Sequence, residues 1–294
     1  IIKNNYEVVG VITAADKPAG RGQKIKYSVV KEYALANNLH LLQPTNLKDE
    51  SFLADLKSLE ANLQVVVAFR MLPEVVWRMP KLGTFNLHAS LLPNYRGAAP
   101  INWAIINGET KTGVTTFFID DKIDTGAMIL SSEIEIGANE NAGHLHDRLM
   151  QLGSKTVIET LSIIEKGNVI TTIQEDKNPI KTAHKLDKEN CKIDWSKSGA
   201  EICNLIRGLS PYPSAWCFFS DGNQEWNIKI YEAEFKKEQQ TLTIGEIVST
   251  KKELKIAVKD GFMKILSLQF PGKKRMDSNE LLNGMDFSKI INAL

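Results

Sequence analysis

The sequence predicts an α/β protein in which a doubly wound, mostly parallel sheet is followed by a smaller C-terminal β-barrel domain. Up to Glu165, apolar β-branched runs alternate with amphipathic segments of helical period. This alternation favours βαβ units with parallel strands. Near residue 170 the pattern becomes polar and loses its period. From residue 215 to 268, short alternating segments are separated by turn signals such as Asp221-Gly222, which is typical of a small barrel or sandwich.

The elements of the α/β part are predicted from apolar runs for strands and from the helical period for helices. Strands are expected at residues 6–16, 40–42, 63–69, 84–87 and 112–120. Helices are expected to end near Ala36, to cover 49–59, to begin near Ala99, and to cover 141–165.

A polar stretch without sustained period, containing Asn178-Pro179, separates the two parts and predicts a linker. We therefore expect a Rossmann-like domain over residues 1–176, a linker over 177–188 and an OB-like barrel domain over 189–294. The second domain should open with a capped helix and a proline-punctuated turn over 193–216, and it should end with a helix over 277–282.

Composition excludes several classes of protein. The 294 residues are 43% hydrophobic and 24% charged, ordinary values for a globular chain that can form two domains. The net charge of +1 means that any nucleic-acid footprint must be local. No run approaches the roughly 20 apolar residues of a membrane span. Three cysteines without CxxC spacing indicate free thiols in a reducing compartment, so we expect a cytoplasmic protein.

The stretch from residue 85 to 105 holds the densest polar chemistry of the chain. It predicts a short buried strand, a loop rich in Ser, Pro, Asn and Gly, and then a helix. Asn86 and His88 are two residues apart, so both side chains point to one face of the strand. Asp124 lies in the loop after the next predicted strand. In a parallel sheet this loop leaves at the same edge as the loop after His88, so we expect the three side chains to converge.

An amide, an imidazole and a carboxylate in one place predict acyl transfer. The amide can donate to a developing oxyanion, the imidazole can move a proton, and the carboxylate can orient and charge the imidazole. Taken singly, Asn86 fits a turn or cap, His88 a structural histidine and Asp124 a turn former. The chain has no GxSxG motif, and all three cysteines lie in the other domain. The nucleophile should then belong to the substrate, which favours direct transfer without a covalent enzyme intermediate.

The order Asn86-x-His88, then SLLP from Ser90 to Pro93, then Asp124-x-Gly126 resembles the folate-dependent formyltransferases. Within that superfamily, four further features resemble the methionyl-tRNA formyltransferases over essentially the whole chain. These are the AGRG loop, the run YRGAAPINWAI, the run IDTGAMI, and IDW followed by IRGLSPYPSAW. The resemblance implies that residues 1–176 form a formyltransferase catalytic domain and that residues 189–294 bind tRNA.

The resemblance also implies the reaction. The formyl group of 10-formyltetrahydrofolate would pass to the free amino group of methionyl initiator tRNA, through a tetrahedral intermediate, in translation initiation. Asn86 would donate to the oxyanion, and His88 would assist it and protonate the departing folate nitrogen. Asp124 would raise the basicity of His88 and take the proton of the amine through water. No metal is expected, and the resemblance implies a monomer.

Binding residues follow from the same resemblance. The residues expected to bind the folate are Ser90, Leu91, Leu92, Pro93, Phe69, Arg70, Met71 and Asp120. The tRNA should meet the loop over residues 16–26, which carries a local charge of +3, through Lys17, Arg21, Lys24 and Lys26. In the C-terminal domain the candidates are Lys273, Lys274 and Arg275. Such phosphate contacts should make binding salt-sensitive.

One feature departs from the family. Its members begin with a strand and a Gly-Thr-Pro turn ahead of the strand that here starts at Tyr6. The chain shows neither, and residues 1–6 resemble the end of the helix that follows the turn. We expect the first strand to be missing, which would leave unpaired edges in a buried sheet and lower activity.

The sequence leaves three alternatives to this function. A formyltransferase acting on a small amine, such as a nucleotide-linked amino sugar, would share the three catalytic side chains but should lack the basic AGRG loop. An inactive RNA-binding protein of the same fold would not need Asn86, His88 and Asp124. A dinucleotide oxidoreductase is disfavoured, because no GxGxxG follows a strand.

Overall fold

The computed structural model describes residues 1–19, 24–167, 169–175, 179–284, 287 and 290–294. The strands are β1 (Val11–Ile12), β2 (Lys17–Ala19), β3 (Lys24–Lys26), β4 (Leu41–Leu42), β5 (Gln64–Val67), β6 (Thr84–His88), β7 (Arg96–Gly97), β8 (Lys111–Phe118), β9 (Met128–Glu135), β10 (Thr182–Ala183), β11 (Ala215–Ser220), β12 (Glu225–Lys237), β13 (Ile247–Ser249), β14 (Leu254–Val258), β15 (Gly261–Gln269), β16 (Met276–Asp277) and β17 (Asn292–Ala293). The helices are α1 (Val29–Ala36), α2 (Glu50–Ser58), α3 (Glu74–Trp77), α4 (Pro100–Ile106), α5 (Ala142–Glu165), α6 (Gly199–Leu209) and α7 (Ser278–Gly284). None of the helices within the described ranges has the length and apolar character needed to cross a membrane.

Contacts between residues divide the chain into two compact units, each assembled from three segments. The first unit comprises Ile1–His88, Val114–Ser132 and Leu152–Lys177. The second unit comprises Ala89–Gly113, Glu133–Gln151 and Asn178–Leu294.

In the first unit, β5, β6, β8 and β9 form a sheet in that order, and β1 pairs separately with β4. β5 is parallel to β6 and β1 is parallel to β4, as expected. β8, however, is antiparallel to β6, with Phe118 opposite Phe85 and Thr115 opposite His88. The expectation that the loop after β8 leaves beside the end of β6 is therefore wrong, since it leaves beside the start of β6. The short segment 119–127 joins β8 to its neighbour β9, a connection that needs no crossover helix.

Two strands differ from the prediction. The strand expected over 6–16 contains only two paired residues, β1. The strand β9 was not expected, although its sequence carries the signal. Along β9 the exposed residues Ser131, Glu133 and Glu135 alternate with half-buried ones, which is the period of a strand with one covered face.

The core of the first unit forms around the strand that carries the polar pair. Phe85 is fully buried and packs with Val157, Leu161 and Ile164, which repeat along one face of α5. Each side chain of this size contributes roughly 1.5–3 kcal/mol when buried. Thr160, on the same helix, shares a 2.8 Å hydrogen bond with Thr116 of β8. The helix therefore fixes both central strands of the sheet.

The second unit contains the predicted capped helix. Ser198 and Glu201 form a reciprocal capping box at the start of α6, which satisfies donors that a helix start otherwise leaves unpaired. A Cβ atom added to Gly199 would lie 2.0 Å from the ring of Phe235. Glycine at this position therefore allows α6 to approach β12 closely.

The barrel of the second unit has the strand order β13-β14-β15-β12-β11-β17, with β16 paired to β15. Pairing between these strands is antiparallel. A bridge between Glu246 and Asn292 joins the two ends of this order. The interior is filled by alternate residues of the strands, among them Ile228, Ile230 and Ile256, all fully buried.

The stretch expected to be a linker is attached to the second unit at two residues. β10 pairs in parallel with β7, so that Thr182 lies opposite Arg96 and Ala183 opposite Gly97. A Cβ atom at Gly97 would lie 2.5 Å from the carbonyl oxygen of Ala183. The close approach of the two backbones explains the glycine.

Candidate active site

Asn86 and His88 occupy the carboxyl half of β6, as predicted. The strand lies between β5 and β8, so its backbone is fixed by hydrogen bonds on both sides. His88 is buried, with 6% of its surface exposed, whereas Asn86 is half-buried. The alternation of a strand puts the two side chains on one face.

Asp124 lies near His88, although the route differs from the predicted one. Its Oδ2 atom is 3.8 Å from Nδ1 of His88, and its side chain is 16% exposed. This distance is longer than a direct hydrogen bond and still allows an electrostatic interaction in a partly buried place. The segment 119–127 begins beside the start of β6. It then folds back, so that Asp124 lies near His88 at the end of β6. The structure thus brings the side chains of His88 and Asp124 close together, and Asn86 lies two residues before His88 on the same strand.

The loop that carries Asp124 is held from within by Asp120. The Asp120 carboxylate accepts hydrogen bonds from the Lys122 amide at 3.0 Å and from the Thr125 hydroxyl at 2.9 Å. Asp120 was predicted to contact the folate, and these bonds give it a local role in shaping the loop. Asp124 itself has a left-handed backbone with φ of 55°.

Gln174 holds the same loop from outside, and sequence reasoning missed it. Its side-chain amide donates to the carbonyl oxygens of Asp124 and Gly126, both at 2.9 Å. Gln174 lies in the polar stretch that predicted a linker, so its composition gave no signal. The pairing of Thr172 with Met128 brings this segment beside the loop.

The predicted folate residues of the first unit follow β5. Ala68 has a left-handed backbone with φ of 48°, which turns the chain after the strand. The guanidinium of Arg70 donates to the carbonyl oxygens of Pro44 at 2.6 Å and Thr45 at 2.9 Å. Phe69 packs against an apolar cluster around Phe52. Met71, by contrast, is 66% exposed and is available to a ligand.

The SLLP segment belongs to the second unit. The hydroxyl of Ser90 is completely buried and donates to the carbonyl oxygen of Asn94 at 2.7 Å. Leu92 is buried as well, while Leu91 and Pro93 are half-buried. The Ser90 hydroxyl thus closes the turn of this loop.

The basic segment expected to meet tRNA is a two-stranded ribbon and not an irregular loop. β2 and β3 pair antiparallel, with Lys17 opposite Lys26 and Ala19 opposite Lys24. Arg21 lies outside the described residues. Pairing places two lysine positions opposite each other at the base of the ribbon.

The predicted basic cluster of the barrel divides into two kinds of residue. Lys273, Lys274 and Arg275 are all exposed, and Arg275 differs in the contacts that its guanidinium makes. The guanidinium of Arg275 donates to the hydroxyl of Ser267 at 2.8 Å and lies 4.8 Å from the centre of the Tyr231 ring. Arg275 is therefore part of the barrel surface.

Sequence reasoning missed a basic cleft on the barrel. It has a volume of about 780 Å³ and is lined by Thr250, Lys251, Lys252, Glu253, Lys264, Asn279 and Asn283. Lys264 is paired with Glu253 at 2.7 Å. Within the described part of the chain, no group of three His, Cys, Asp or Glu side chains is arranged to hold a metal ion.

Two family profiles match the chain. The profile described as formyl transferase matches residues 2–161. The profile described as formyl transferase, C-terminal domain, matches residues 185–286. Together they cover both parts of the predicted fold, and they confirm the α/β sheet with a C-terminal barrel.

Among curated proteins, the chain is similar to the methionyl-tRNA formyltransferases of three bacteria. It is 78% identical to that of Flavobacterium johnsoniae over 288 residues, which covers 98% of this chain and 91% of the relative. It is 71% identical to that of Flavobacterium psychrophilum over 287 residues, with the same coverage. It is 53% identical to that of Bacteroides thetaiotaomicron over 293 residues, again covering 98% and 91%.

Solved structures share the fold at low identity. HypX from Aquifex aeolicus in complex with tetrahydrofolic acid has a TM-score of 0.63 at 18% identity, covering 87% of this chain and 44% of that one. WlaRD, a sugar 3N-formyl transferase, has a TM-score of 0.59 at 22% identity, covering 83% and 82%. The family itself is shown by the profiles and by the much higher identity of the curated relatives. This chain therefore belongs to the formyl transferase family, within its methionyl-tRNA formyltransferases.

Proposed function

We propose that the chain transfers the formyl group of 10-formyltetrahydrofolate to the amino group of methionyl initiator tRNA. Family membership supports this reaction, because a relative that is 78% identical to this chain is named methionyl-tRNA formyltransferase. The observation that carries the proposal is the approach of Asp124 to His88, 3.8 Å apart, on the strand that also presents Asn86. An amide, an imidazole and a carboxylate are the groups that direct acyl transfer requires.

In the proposed reaction the methionine nitrogen attacks the formyl carbon of the folate. A new N–C bond forms and the carbonyl π electrons move to the oxygen, which the Asn86 amide stabilises by donating a hydrogen bond. The amine proton leaves through water to Asp124. When the tetrahedral carbon collapses, its bond to the folate nitrogen breaks and His88 supplies the proton that this nitrogen takes up. No covalent bond to the enzyme is formed.

We also propose which residues bind the two substrates. Folate would contact the Ser90–Pro93 segment, Met71 and the ring of Phe69, while Arg70 and Asp120 would hold the loops that bear these contacts. The acceptor end of the tRNA would contact the ribbon of β2 and β3 and the residue Arg21. Lys273, Lys274 and the basic cleft around Lys251 would bind phosphates of the tRNA backbone, because lysines that face solvent provide such contacts.

The test supplies alternative amines to the same enzyme. The chain is incubated with 10-formyltetrahydrofolate and either methionyl initiator tRNA or a nucleotide-linked amino sugar, and the formylated products are quantified by mass spectrometry. We expect formyl-methionine from the tRNA and no formylated sugar. Formylation of the sugar alone would favour the small-amine reading. Turnover of neither would favour an RNA-binding protein without catalysis, and a tRNA-binding assay would then distinguish that case.

We propose further that the protein acts in the cytoplasm as a monomer, with a domain boundary in residues 177–188. The cysteines Cys191, Cys203 and Cys217 are free thiols, and burial raises the pKa of the Cys217 thiol, which suits a reducing compartment. Sedimentation should give one species of 32.8 kDa. A species of twice this mass would contradict the monomer. If limited proteolysis cut the chain at other places and never within residues 177–188, the proposed boundary would be wrong.

A further inference from the structure

We propose that Gln174 is a positioning residue that holds Asp124 in place beside His88. This inference rests on the proposed function, in which Asp124 takes the proton of the attacking amine. The side-chain amide of Gln174 donates to the backbone carbonyl oxygens of Asp124 and Gly126. It acts on the backbone of the loop that carries the carboxylate.

The two hydrogen bonds from Gln174 to the loop require an amide side chain. A glutamine side chain has two N–H donors on one nitrogen. In the structure this nitrogen lies 2.9 Å from the carbonyl oxygen of Asp124 and 2.9 Å from that of Gly126. One side chain therefore joins two carbonyl groups on either side of Thr125. A carboxylate in the same place would only accept, and two carbonyl oxygens would repel it.

The segment that bears Gln174 is itself fixed in register. The Met128 amide donates to the Thr172 carbonyl at 2.8 Å, and the Thr172 amide donates to the Met128 carbonyl at 2.9 Å. This pair of bonds is a bridge between β9 and the polar stretch after α5. It sets the distance along the chain at which Gln174 meets the loop.

The loop needs such a tie because its own backbone is constrained. Asp124 adopts a left-handed conformation with φ of 55°, a backbone region that residues other than glycine populate sparsely. Asp120 fixes Lys122 and Thr125 from inside the loop. Gln174 joins the Asp124 peptide to the segment after α5, which also belongs to the first unit.

Small displacements matter at this position. The carboxylate of Asp124 lies 3.8 Å from the imidazole, and an error of about 1 Å in a reacting group can cost on the order of 10²-fold in rate. Without the Gln174 amide, the loop could relax away from its left-handed turn. We therefore expect loss of turnover with unchanged affinity for either substrate.

The experiment compares Gln174→Leu with Gln240→Leu. Gln240 is a matched control, because its amide also donates to a backbone carbonyl, that of Val258 at 2.8 Å, in a part-buried place in the second unit. We expect Q174L to lower kcat at least 10-fold with both KM values within twofold of wild type, and Q240L to leave kcat unchanged. A Q174L enzyme with wild-type kcat, or with an equal loss in Q240L, would overturn the proposal.

A second variant separates positioning from a general structural role. In Gln174→Glu the ionised carboxylate cannot donate, whereas the protonated acid can donate one hydrogen bond. The ratio of Q174E activity to wild-type activity should therefore rise as the pH falls from 8 to 5.5.

A second readout is the double variant of Gln174→Leu with Asp124→Ala. Because the effect of Q174L passes through Asp124, it should lower the kcat of the Asp124→Ala enzyme by no more than a further twofold. The proposed role would be contradicted if the activity ratio of Q174E to wild type did not change with pH. It would also be contradicted if Q174L lowered kcat in the Asp124→Ala background as much as it does in wild type.

Hydrogen exchange keeps this test separate from the proposed function. The amides of segment 120–128 should exchange at least 10-fold faster in Q174L than in wild type or Q240L, whatever substrate the enzyme uses. If wild type formylates no tRNA while Q174L still speeds exchange in this segment, the proposed function is wrong and the role of Gln174 in holding the loop is supported. If the segment exchanges at the wild-type rate in Q174L, the tie itself is wrong.

Discussion

The ammonium of Lys31 lies 2.5 Å from the carboxylate of Asp16 and is almost completely buried. Gln43 accepts a hydrogen bond from this ammonium at 2.8 Å and donates to the Asp16 carboxylate at 3.0 Å. The ring of Tyr27 lies 4.0 Å from the same ammonium. Asp16 precedes β2, and Tyr27 and Lys31 follow β3. The network therefore holds the start of β2 and the end of β3 together at the open end of the ribbon.

Replacing Asp16 with Asn should destabilise the protein, because the buried Lys31 ammonium would lose its counterion. Hydrogen bonds from Lys31 and Gln43 lower the pKa of Asp16 below its usual value of 3.8. A lowered folded-state pKa gives stability that is present above the unfolded value and is lost as the pH falls through the folded one. The urea midpoint of D16N should thus lie below that of wild type at pH 7, and the gap should close below about pH 4.

The surface pair of Glu74 and Arg78 is the control for D16N, since both side chains are more than half exposed. Exposed pairs of this kind contribute about 0–1 kcal/mol. Glu74→Gln should therefore leave the midpoint within error at every pH. An equal loss in E74Q and D16N would show that burial of Lys31 has no special effect.

Removing either Asn86 or Asp124 should abolish most turnover without unfolding the chain. Loss of one oxyanion donor typically costs on the order of 10²–10³ in kcat, and we expect at least this loss in Asn86→Ala and in Asp124→Ala. Asp121→Ala is the control, because Asp121 is an exposed neighbour in the same loop. Single-turnover rates with saturating substrates and circular dichroism measure the two properties. Near-full activity of either variant would be incompatible with the assigned roles.

The sequence was sufficient to predict what depends on local periodicity. The shared face of Asn86 and His88 follows from the strand period, and the capping box of α6 follows from two residues three apart. It was insufficient for features that depend on pairing between distant segments. The antiparallel direction of β8 is set by its neighbours. Gln174 lies beside Asp124 next to a bridge between Met128 and Thr172, two residues that are 44 positions apart in the chain. For these features the sequence has no local signal.

Affinity for methionyl initiator tRNA should fall steeply with salt, since phosphate contacts release bound counterions. Lys17 and Lys26 lie at opposite positions in the register of β2 and β3. Replacing both with alanine should reduce the slope of log affinity against log salt by roughly 1 for each lost phosphate contact. Lys251→Ala tests the cleft on the barrel in the same way. Lys57→Ala, in the last turn of α2, is the control and should leave the slope unchanged. A slope near zero for wild type would argue against tRNA as a substrate.

Removing the buried hydroxyl of Tyr95 should cost about 1–3 kcal/mol of stability. This hydroxyl donates to Glu109 at 2.5 Å and accepts from Asn107 at 3.2 Å. Burial, together with the bond to Glu109, raises the pKa of Tyr95, so it stays a donor throughout the neutral range. Tyr95→Phe should lower the free energy of unfolding in urea, whereas Tyr212→Phe should not, because Tyr212 is 82% exposed. Equal stability of the two variants would refute the contribution of this network.

Gly126 should tolerate no side chain, although its backbone dihedrals are not those reserved for glycine. A Cβ atom there would lie 1.7 Å from the carbonyl oxygen of Phe118, so Gly126→Ala must push the turn away from β8. The Gly126 carbonyl is one of the two acceptors of Gln174, and the displacement would therefore reach Asp124. We expect kcat to fall on the order of 10²-fold. Gly284→Ala is the control, because nothing lies within 4 Å of its added Cβ, and alanine favours a helix over glycine by about 1 kcal/mol. If G126A kept kcat within threefold of wild type, tight packing of this turn could not be what holds the carboxylate beside His88.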